Sequence, residues 1–344
     1  MFTANIPLAH VGPVKITGQE MDEEVMVPMA TYEQPLWPST NRGAKVSRLA
    51  GGIAVTVKDD RMTRSVLLEA PSAEQAIFVS QDVFNQFDSL AAIVSKNSRF
   101  AKLLDVYTQV TGPLIFIRFE FASGDASGHN MVTYASQLLM EWLLVHYPQL
   151  EYVSVSGNYC SDKKATAVNG ILGRGKYVVA EVTISEALCL KYLRTTPQKI
   201  VDLNIKKNLI GTLLAGGIRS ANAHFANILL AIYLATGQDA ANIIEGSQGI
   251  VYTTVKNDDL YFSVTLPNII VGTIGNGKDL DFVKQHLEAL GCLAKREPGA
   301  NARRLAIITA ATVLCGELSL LAALTNPGEL MRSHLLMERK TRAN

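Results

Sequence analysis

The chain has 344 residues, of which 48% are hydrophobic and 18% charged, with a formal net charge of +1. This composition is typical of a soluble globular protein, and the length favours two domains. The balanced charge gives no sign of a nucleic-acid or membrane partner. Four widely spaced cysteines form no CxxC pair, so we expect a reducing, cytoplasmic environment, no disulfide framework and no metal.

Two segments resemble export or membrane signals only superficially. The N-terminal MFTANIPLAHVGPVK lacks a basic region followed by an apolar one, so we expect no signal peptide. Residues 305–324 are long enough to cross a bilayer, but they include Glu317 and many Ala and Thr residues. We expect this segment to be a buried core helix.

The middle of the chain has the pattern of a small α/β unit. An irregular stretch with several prolines precedes it. Apolar runs and turn residues then predict a strand, a helix, a hairpin, a second helix and a last strand, at 66–70, 72–94, 103–122, 131–147 and 152–156. This order, β-α-β-β-α-β, is that of a ferredoxin-like domain.

The remaining sequence predicts a larger unit around this insertion. It has a strand at 176–184, long helices over 185–236, strands near 250–271 and helices from about 279. We therefore predict an α+β fold with a large, mostly helical domain (1–65 and 157–326) and a small nucleotide-binding domain (66–156). Residues 327–344 follow an Asn-Pro-Gly break and predict a hinged C-terminal flap.

The stretch SGNYCSDKKATAVNG places Asp162, Lys163 and Lys164 directly before a predicted helix. One interpretation is that Asp162 caps this helix while both lysines face water. The other is that one lysine stabilises a developing oxyanion, with Asp162, Ser156 and Asn158 fixing its position. The stretch alone favours the first interpretation.

Two further stretches contain candidate acid–base groups. Glu33 lies among apolar residues in VPMATYEQPLWPS, and partial burial would let it donate a proton near neutral pH. His224 and Asn227 are three residues apart on one predicted helix face, and Asp239 follows at the start of the next helix. The alternatives are a surface glutamate, a hydrogen-bonded core histidine and a helix-capping aspartate.

Two glycine-containing loops and one terminal histidine complete the candidates. GDASGHN (124–130) and GTIGNG (272–277) each precede a predicted helix, where backbone N–H groups bind pyrophosphate. Neither is a GxGxxG fingerprint, and tight turns are the alternative. His334 lies on the predicted flap, from which an imidazole could protonate a leaving group.

Together these motifs resemble the catalytic portion of the 3-hydroxy-3-methylglutaryl-coenzyme A (HMG-CoA) reductase family, closer to its class I than its class II form. The matching strings are VPMATYE…STNRGAK, RMTRS, NSRFAKL, GDASGHNM, SGNYCSDKKATAVNG, RGK, KNLIG, NAHFANI, ATGQDAAN, GTIGNG, GELSLLAAL and RSH. They extend over about residues 7–334, essentially the whole chain.

The resemblance implies a two-step reduction of HMG-CoA to mevalonate and CoA with two NADPH, a reaction of isoprenoid biosynthesis. It implies a catalytic set of Glu33, Lys163, Asp239 and His334. Lys163 then stabilises the oxyanion and polarises the aldehyde, and Asp239 tunes the proton affinities of Lys163 and Glu33. Glu33 protonates the aldehyde oxygen and His334 the departing thiolate.

The resemblance also implies the binding residues. Those for the substrate are Arg64, Ser156, Asp162, Lys164, Lys207, His224 and Asn227. Those for the cofactor are Asp125, Ser127, Gly128, His129 and Asn130, then Gly275, Asn276 and Gly277, with Ser98, Arg99 and Phe100 at the 2′-phosphate of NADP. A guanidinium at Arg99 favours NADPH over NADH.

Some features depart from the family's usual pattern. Asn276 and Lys278 interrupt a loop that is usually GGGT-like, and Ser127 and His129 stand where methionines are common. The segment TANIPLAHVGPV stands where a glutamate-led dimerisation motif is common. We nevertheless expect a homodimer or higher homo-oligomer in which the lysine loop of one subunit reaches the glutamate and aspartate of another.

Two other functions stay open at this stage. One is NAD-dependent mevalonate oxidation in the reverse direction, against which Arg99 argues. The other is an inactive acyl-CoA-binding homologue, suggested by the altered GTIGNG loop. The presence of all four proposed catalytic groups, Glu33, Lys163, Asp239 and His334, favours the reductase over both.

Overall fold

A computed structural model describes residues 4–332 and 335. The strands are Leu8–Thr17 (β1), Glu23–Ala30 (β2), Ile53–Glu69 (β3), Lys102–Thr111 (β4), Leu114–Ala122 (β5), Glu151–Ser154 (β6), Gly175–Ile184 (β7), Ile250–Lys256 (β8) and Asp259–Ile269 (β9). The α-helices are Leu36–Leu49 (α1), Ala73–Asp82 (α2), Phe87–Asn97 (α3), His129–His146 (α4), Ala167–Leu172 (α5), Glu186–Leu188 (α6), Pro197–Leu203 (α7), Thr212–Leu214 (α8), Phe225–Ala235 (α9), Ile243–Gly246 (α10), Asp281–Ala289 (α11) and Ala300–Leu324 (α12).

The long strand β3 belongs to two groups of strands. Its first half pairs with β7 within the order β2-β1-β3-β7-β9-β8, and its second half pairs with β5 and β6. The smaller group has the order β6-β3-β5-β4, with every neighbouring pair antiparallel. In the larger group only the β1–β3 pair is parallel.

Each group of strands covers its own hydrophobic cluster. One cluster draws on residues 11–55 and 178–322, and the other on residues 62–150 with Ile270. Helix α12 runs through the first cluster, and 94% of its most apolar 18-residue stretch is buried. This burial agrees with the core helix predicted for residues 305–324, although length and hydropathy alone would allow a membrane span.

The N-terminal region is more regular than the sequence predicted. The stretch expected to be irregular forms β1 and β2, so the large unit has a six-stranded sheet and is not mostly helical. The prolines wrongly suggested an irregular stretch. Pro13 lies at a register shift in β1, and Pro28 lies on the edge strand β2. Proline is tolerated at both kinds of position, since no ladder hydrogen bond is lost there.

Other predicted elements are confirmed with altered bounds. The hairpin closes at Gly112 and Pro113 as predicted. The helix expected over 72–94 is two helices, α2 and α3. The helices expected over 185–236 are interrupted by π-helical stretches at Cys189–Leu193 and Asn204–Gly211. Apolar periodicity does not distinguish one long helix from two that pack on the same side.

Candidate active site

Two cavities in the described part of the chain contain most of the predicted site residues. The first, the lysine cavity, has a volume of about 550 Å³ and is lined by Arg64, residues 126–131, Asp162, Lys163, Asp239, residues 274–276 and Lys278. The second, the glutamate cavity, has a volume of about 440 Å³, and its lining includes Glu33, Arg42, Arg194, His224, Glu329 and Arg332. The predicted catalytic residues are thus divided between two places.

The loop that carries Lys163 has an unusual backbone. Asn158, Ser161 and Lys163 have positive φ angles of 59°, 53° and 55°, in a region that residues with side chains seldom adopt. Asn169 helps to hold this loop, since its side-chain amide donates to the Ser161 carbonyl at 3.0 Å. The backbone N–H of Lys163 donates to the Glu245 carboxylate at 3.0 Å.

Lys163 and Asp239 form the central ion pair of the lysine cavity. Their side chains are 40% and 44% exposed, and Nζ lies 2.8 Å from Oδ2. The hydrogen bond to Asp239 raises the pKa of Lys163. Burial opposes ionisation of Asp239, but bonds from Lys163 and the Ala241 N–H outweigh it and lower the pKa of the carboxyl group. Both groups therefore stay charged over a wide pH range.

Asp162 does not have the capping role that the sequence alone favoured. Thr166 caps helix α5 instead, accepting from the Asn169 N–H. The Asp162 carboxylate lies 3.0 Å from a guanidinium nitrogen of Arg174, which is fully buried, and 3.9 Å from Arg64. The N-cap prediction was wrong because nothing in the local sequence shows that Arg174 folds back onto this loop.

His129 sits beside this charged group and is mostly buried. Its Nε2 lies 3.8 Å from Asp162 Oδ1 and makes no hydrogen bond within the described residues. Burial, and then the positive charge of Arg174, lower the pKa of His129 to about 4. His129 is therefore neutral at physiological pH.

The two predicted nucleotide loops lie against each other. Ala126 bridges to Ile274, and the Thr273 N–H donates to the Asp125 carbonyl at 2.8 Å. Gly272 has no room for a side chain, since a Cβ there would collide with the Ser127 backbone. The two loops together line the lysine cavity beside the N-terminus of α4.

This cradle fits a dinucleotide phosphate group. The first N–H groups of α4, an 18-residue helix, have no partners within the helix. Gly275, with a φ of 98°, has open space beside its backbone, whereas Gly128, with a φ of 95°, packs closely on Ser123. Ser127, Gly128, His129, Asn130, Gly275 and Asn276 all line the cavity. Gly277 instead packs closely on Gly237.

Two predicted cofactor contacts have other roles in this structure. Asp125 does not line the lysine cavity, because its carboxylate accepts from the Ala302 N–H in the first turn of α12 at 3.0 Å. Ser98 ends α3 and accepts from the N–H groups of Phe100 and Ala101. Arg99 and Phe100 are exposed, with the guanidinium 5.7 Å from the ring centre, and line neither cavity.

Lys278 neither faces water nor stands free for a ligand. Its side chain is buried on the cavity wall, and its ammonium donates to the Gly237 carbonyl. Burial lowers the pKa of Lys278 to about 8. The lysine therefore connects the second nucleotide loop to the turn before Asp239.

The glutamate cavity brings Glu33 close to a distant part of the chain, the segment that contains His224 and Asn227. Glu33 accepts a hydrogen bond from the Asn227 side chain at 2.8 Å, and His224 lines the same cavity. Glu317, which interrupts the apolar helix α12, is fully buried and accepts from the Ala223 and His224 N–H groups at 2.9 and 2.5 Å. Glu33 itself is exposed in the single chain, so the predicted burial is not seen.

The remaining predicted residues lie at the margins of these cavities or beyond them. Ser156 is exposed, and its N–H donates to Ser154. The Lys164 ammonium donates to the Asp162 carbonyl at 3.1 Å, and that of Lys207 to Asn208 at 3.3 Å. None of these three lines either cavity. His334 lies outside the described residues.

Sequence reasoning assigned no role to Arg174 and Glu245. Both are fully buried, and they form an ion pair of 2.7 Å directly behind the lysine loop. Arg174 belongs to the RGK string of the resemblance, and Glu245 follows Asp239 closely. A charged residue within a strongly apolar neighbourhood was the signal that could have drawn attention to Arg174.

These features define an enzyme-like site, with a lysine–aspartate pair next to a phosphate-binding cradle. The family model for hydroxymethylglutaryl-coenzyme A reductase matches residues 2–339. The chain belongs to this family. The 3-hydroxy-3-methylglutaryl-coenzyme A reductase of Pyrococcus horikoshii is 44% identical over 337 residues, covering 97% of this chain and 81% of the relative. That of Aeropyrum pernix is 43% identical over 336 residues, covering 97% and 79%.

A eukaryotic relative and a solved structure extend the comparison. Reductase 1 of Arabidopsis thaliana is 42% identical over 343 residues, covering 98% of this chain and 57% of the relative. The structure of the class II reductase of Streptococcus pneumoniae bound to NADPH has a TM-score of 0.76 at 20% identity, covering 95% of this chain and 78% of that one. At this identity the likeness shows a shared fold.

Proposed function

We propose that this protein reduces HMG-CoA to mevalonate and CoA in two NADPH-dependent steps, a reaction that feeds isoprenoid synthesis. The observation that carries the proposal is the Lys163–Asp239 pair, 2.8 Å apart in the cavity that also contains the nucleotide loops. A fixed positive charge at this place can stabilise the oxygen that becomes negative when a thioester carbon accepts hydride. The relatives named above carry the name of this activity.

Lys163 acts in both reductions. In the first, its ammonium binds the oxyanion that forms on the thioester carbon, and in the second it polarises the aldehyde. Asp239 keeps the ammonium protonated and limits its movement. Because Asp239 is itself held by the Ala241 N–H, the pair needs little reorganisation when charge develops.

NADPH supplies one hydride in each step. The N-terminus of α4 and the loops at 126–130 and 274–276 would hold its pyrophosphate. The order β6-β3-β5-β4, antiparallel throughout, agrees with a ferredoxin-like nucleotide domain over residues 66–156. Arg99, which is exposed and lines neither cavity, is our candidate for the 2′-phosphate contact.

The substrate carboxylate and hydroxyl would bind at the mouth of the lysine cavity. Arg64 lines this cavity, and Thr133 holds its guanidinium at 2.6 and 3.0 Å. A guanidinium fixed in this way suits bidentate recognition of a carboxylate. Asp162 and Lys164 lie next to the catalytic lysine and complete the polar surface on this side.

A second subunit would complete the site. Glu33 and His224 line the glutamate cavity, apart from Lys163, and Asn227 bonds Glu33 there. We propose a homodimer or larger assembly in which the glutamate cavity of one subunit faces the lysine cavity of its neighbour. Lys163 and Asp239 are already in contact within one chain, so the neighbouring subunit is proposed to bring Glu33 to this pair.

Mixing two inactive variants tests this assembly. Lys163→Ala and Glu33→Gln subunits, co-expressed in equal amounts, should restore about one quarter of wild-type activity if each site draws on two chains, since half the dimers are mixed and each has one intact site. If each site lies within one chain, mixing restores nothing. Either variant alone provides the baseline.

The direct test of function is the acyl-CoA-dependent oxidation of NADPH by the purified, folded protein. We expect about two NADPH consumed for each HMG-CoA. Folded protein that binds ligand but consumes no NADPH would instead support the inactive homologue. Comparing kcat/KM for NADPH and NADH in wild type and Arg99→Ala distinguishes the reductase from the NAD-dependent oxidation of mevalonate.

A further inference from the structure

The loop that carries Lys163 needs support from outside itself. The left-handed backbone at Lys163 costs a residue with a side chain about 1 kcal/mol or more. The lysine side chain is 40% exposed, so packing alone does not fix the ammonium. Such a conformation persists only where neighbouring groups determine it.

Glu245 supplies that support with a single oxygen. Its Oε1 accepts from the Lys163 N–H at 3.0 Å, from the Arg174 guanidinium at 2.7 Å and from the Asn242 side chain at 3.0 Å. Glu245 lies on α10, which follows the turn that Asp239 caps. One carboxylate therefore connects the backbone of the lysine to the segment that carries its ion-pair partner.

Arg174 holds the same loop at a second point. One of its terminal nitrogens lies 2.7 Å from Glu245 and the other 3.0 Å from Asp162, the residue before Lys163. Arg174 lies directly before β7, and its own N–H donates to the Pro267 carbonyl. The sheet thus provides a rigid base for both contacts.

The buried ion pair of Arg174 and Glu245 is energetically unfavourable if its role is to stabilise the fold alone. Buried ion pairs often contribute little net stability, because both charges lose their hydration. Here the other carboxylate oxygen of Glu245 is buried without a hydrogen-bond partner in the described part of the chain. A role in placing the catalytic lysine accounts for its geometry.

We propose that Glu245, held by Arg174, is a positioning residue that sets the distance between Lys163 and Asp239. The inference rests on the proposed function, because it gives Lys163 its role in the reaction. Glu245 bonds the backbone N–H of Lys163 and not its ammonium. It is also absent from the lining of both cavities.

Two substitutions test the proposal by kinetics. Glu245→Ala removes the shared acceptor, and we expect kcat to fall about 50-fold with KM for acyl-CoA and NADPH within about 3-fold of wild type. Glu245→Gln keeps the volume and one acceptor oxygen but loses the negative charge, so kcat should fall by about 3- to 10-fold. The matched control is Glu181→Gln, a glutamate on β7 that bonds only Tyr261 among the described side chains, which should leave both constants unchanged.

Hydrogen exchange of the peptide backbone over residues 156–166 gives a readout that needs no turnover. We expect faster exchange in Glu245→Ala than in Glu245→Gln, and wild-type exchange in Glu181→Gln. A wild-type kcat in Glu245→Ala, or unchanged exchange in this loop, would overturn the proposal. If Glu245→Ala does not fold, Glu245→Gln decides, and wild-type values in both measurements overturn it.

These measurements separate two kinds of failure. A wild-type protein without NADPH oxidation would refute the proposed function, while the exchange data would still decide whether Glu245 holds the loop. An active wild type with an equally active Glu245→Ala variant would refute the positioning role alone.

Discussion

The two cavities differ in how completely a single chain organises them. In the lysine cavity, Lys163 pairs with Asp239, and Asp162 lies against the buried Arg174. In the glutamate cavity, Glu33 is exposed, and its carboxylate accepts one hydrogen bond within the described residues, from Asn227. The lysine side is preorganised for charge stabilisation, whereas the glutamate side needs a further surface before its carboxyl group is shielded from water.

This difference indicates which chemistry each cavity can perform alone. Binding an oxyanion needs only a fixed charge, which the Lys163–Asp239 pair provides. Proton donation near neutral pH is favoured by a carboxyl group that is shielded from water, whereas Glu33 is exposed in one chain. The variants below test the preorganised cavity, starting with the largest expected effect.

Lys163→Ala should produce the largest loss of activity, because it removes the charge that faces the developing oxyanion in the proposed reaction. We expect kcat to fall by about 10³ or more. Lys164→Ala, the matched control on the same loop, should mainly raise KM for the acyl-CoA by about 10-fold, since its proposed role is substrate binding and its ammonium bonds only the Asp162 carbonyl within the described residues. Steady-state kinetics of both variants measure the difference, and equal defects in kcat would contradict this division of roles.

Asp239→Asn should lower kcat less than Lys163→Ala does, and it should change the dependence of kcat on pH. The hydrogen bond to Asp239 is the main cause that raises the pKa of Lys163, so its loss lowers that pKa. Activity needs the ammonium form and disappears as pH rises through this pKa. We therefore expect kcat to be about 10²-fold lower, and its decrease at alkaline pH to begin at a lower pH than in wild type.

The exposed Asp88→Asn variant on α3 is the control for this experiment. Profiles of kcat against pH for the three proteins give the result. An alkaline limb that stays in place in Asp239→Asn would show that the ion pair does not set the protonation of Lys163.

Local sequence patterns predicted much of this molecule but could not predict its long-range pairs. The hairpin, β7, β8, β9 and the buried helix α12 follow from apolar runs and turn residues, which act over short distances. The sequence also predicted the two nucleotide loops, although it did not predict the contact between them. The helix-capping role that the local stretch favoured for Asp162 was wrong, because its partner, Arg174, is brought to it by the tertiary fold.

The candidate site was predictable only in part for the same reason. The resemblance supplied Lys163 and Asp239, and the structure brings them to 2.8 Å. It could not supply Glu245, whose contacts with Lys163 and Arg174 join distant parts of the chain. Glu33 differs again, because the apolar residues next to it in the sequence leave it exposed in the structure.

His129→Gln should change stability in acid. The unfolded imidazole has a pKa near 6.5, and burial lowers it to about 4 in the folded protein. The unfolded state therefore binds protons more readily, so stability is lost as pH falls from about 6.5 to 4. This loss amounts to at most about 3 kcal/mol and should be absent in His129→Gln.

Urea unfolding at pH 7 and pH 4.5 measures this effect as a difference in the free energy of unfolding. The exposed His10→Gln variant on β1 is the control and should lose as much stability in acid as wild type. An equal loss in wild type and His129→Gln would show that His129 does not titrate as its burial requires.

Lys278→Met should have the smallest effect, because it acts at the edge of the preorganised cavity. At pH 7 the buried ammonium is charged and joins the second nucleotide loop to Gly237. Since burial lowers its pKa to about 8, the positive charge is lost as pH rises through this value. We expect a KM for NADPH about 3-fold higher in Lys278→Met, with kcat nearly unchanged.

The pH dependence separates loss of charge from loss of packing at this position. In wild type, KM for NADPH should rise between pH 7 and 9, and in Lys278→Met it should stay high across this range. Lys284→Met on α11, which removes an exposed lysine 3.9 Å from Asp279, should retain the wild-type profile. A parallel rise in all three proteins would place the titrating group elsewhere, and the contact with Gly237 would then serve only to close the loop.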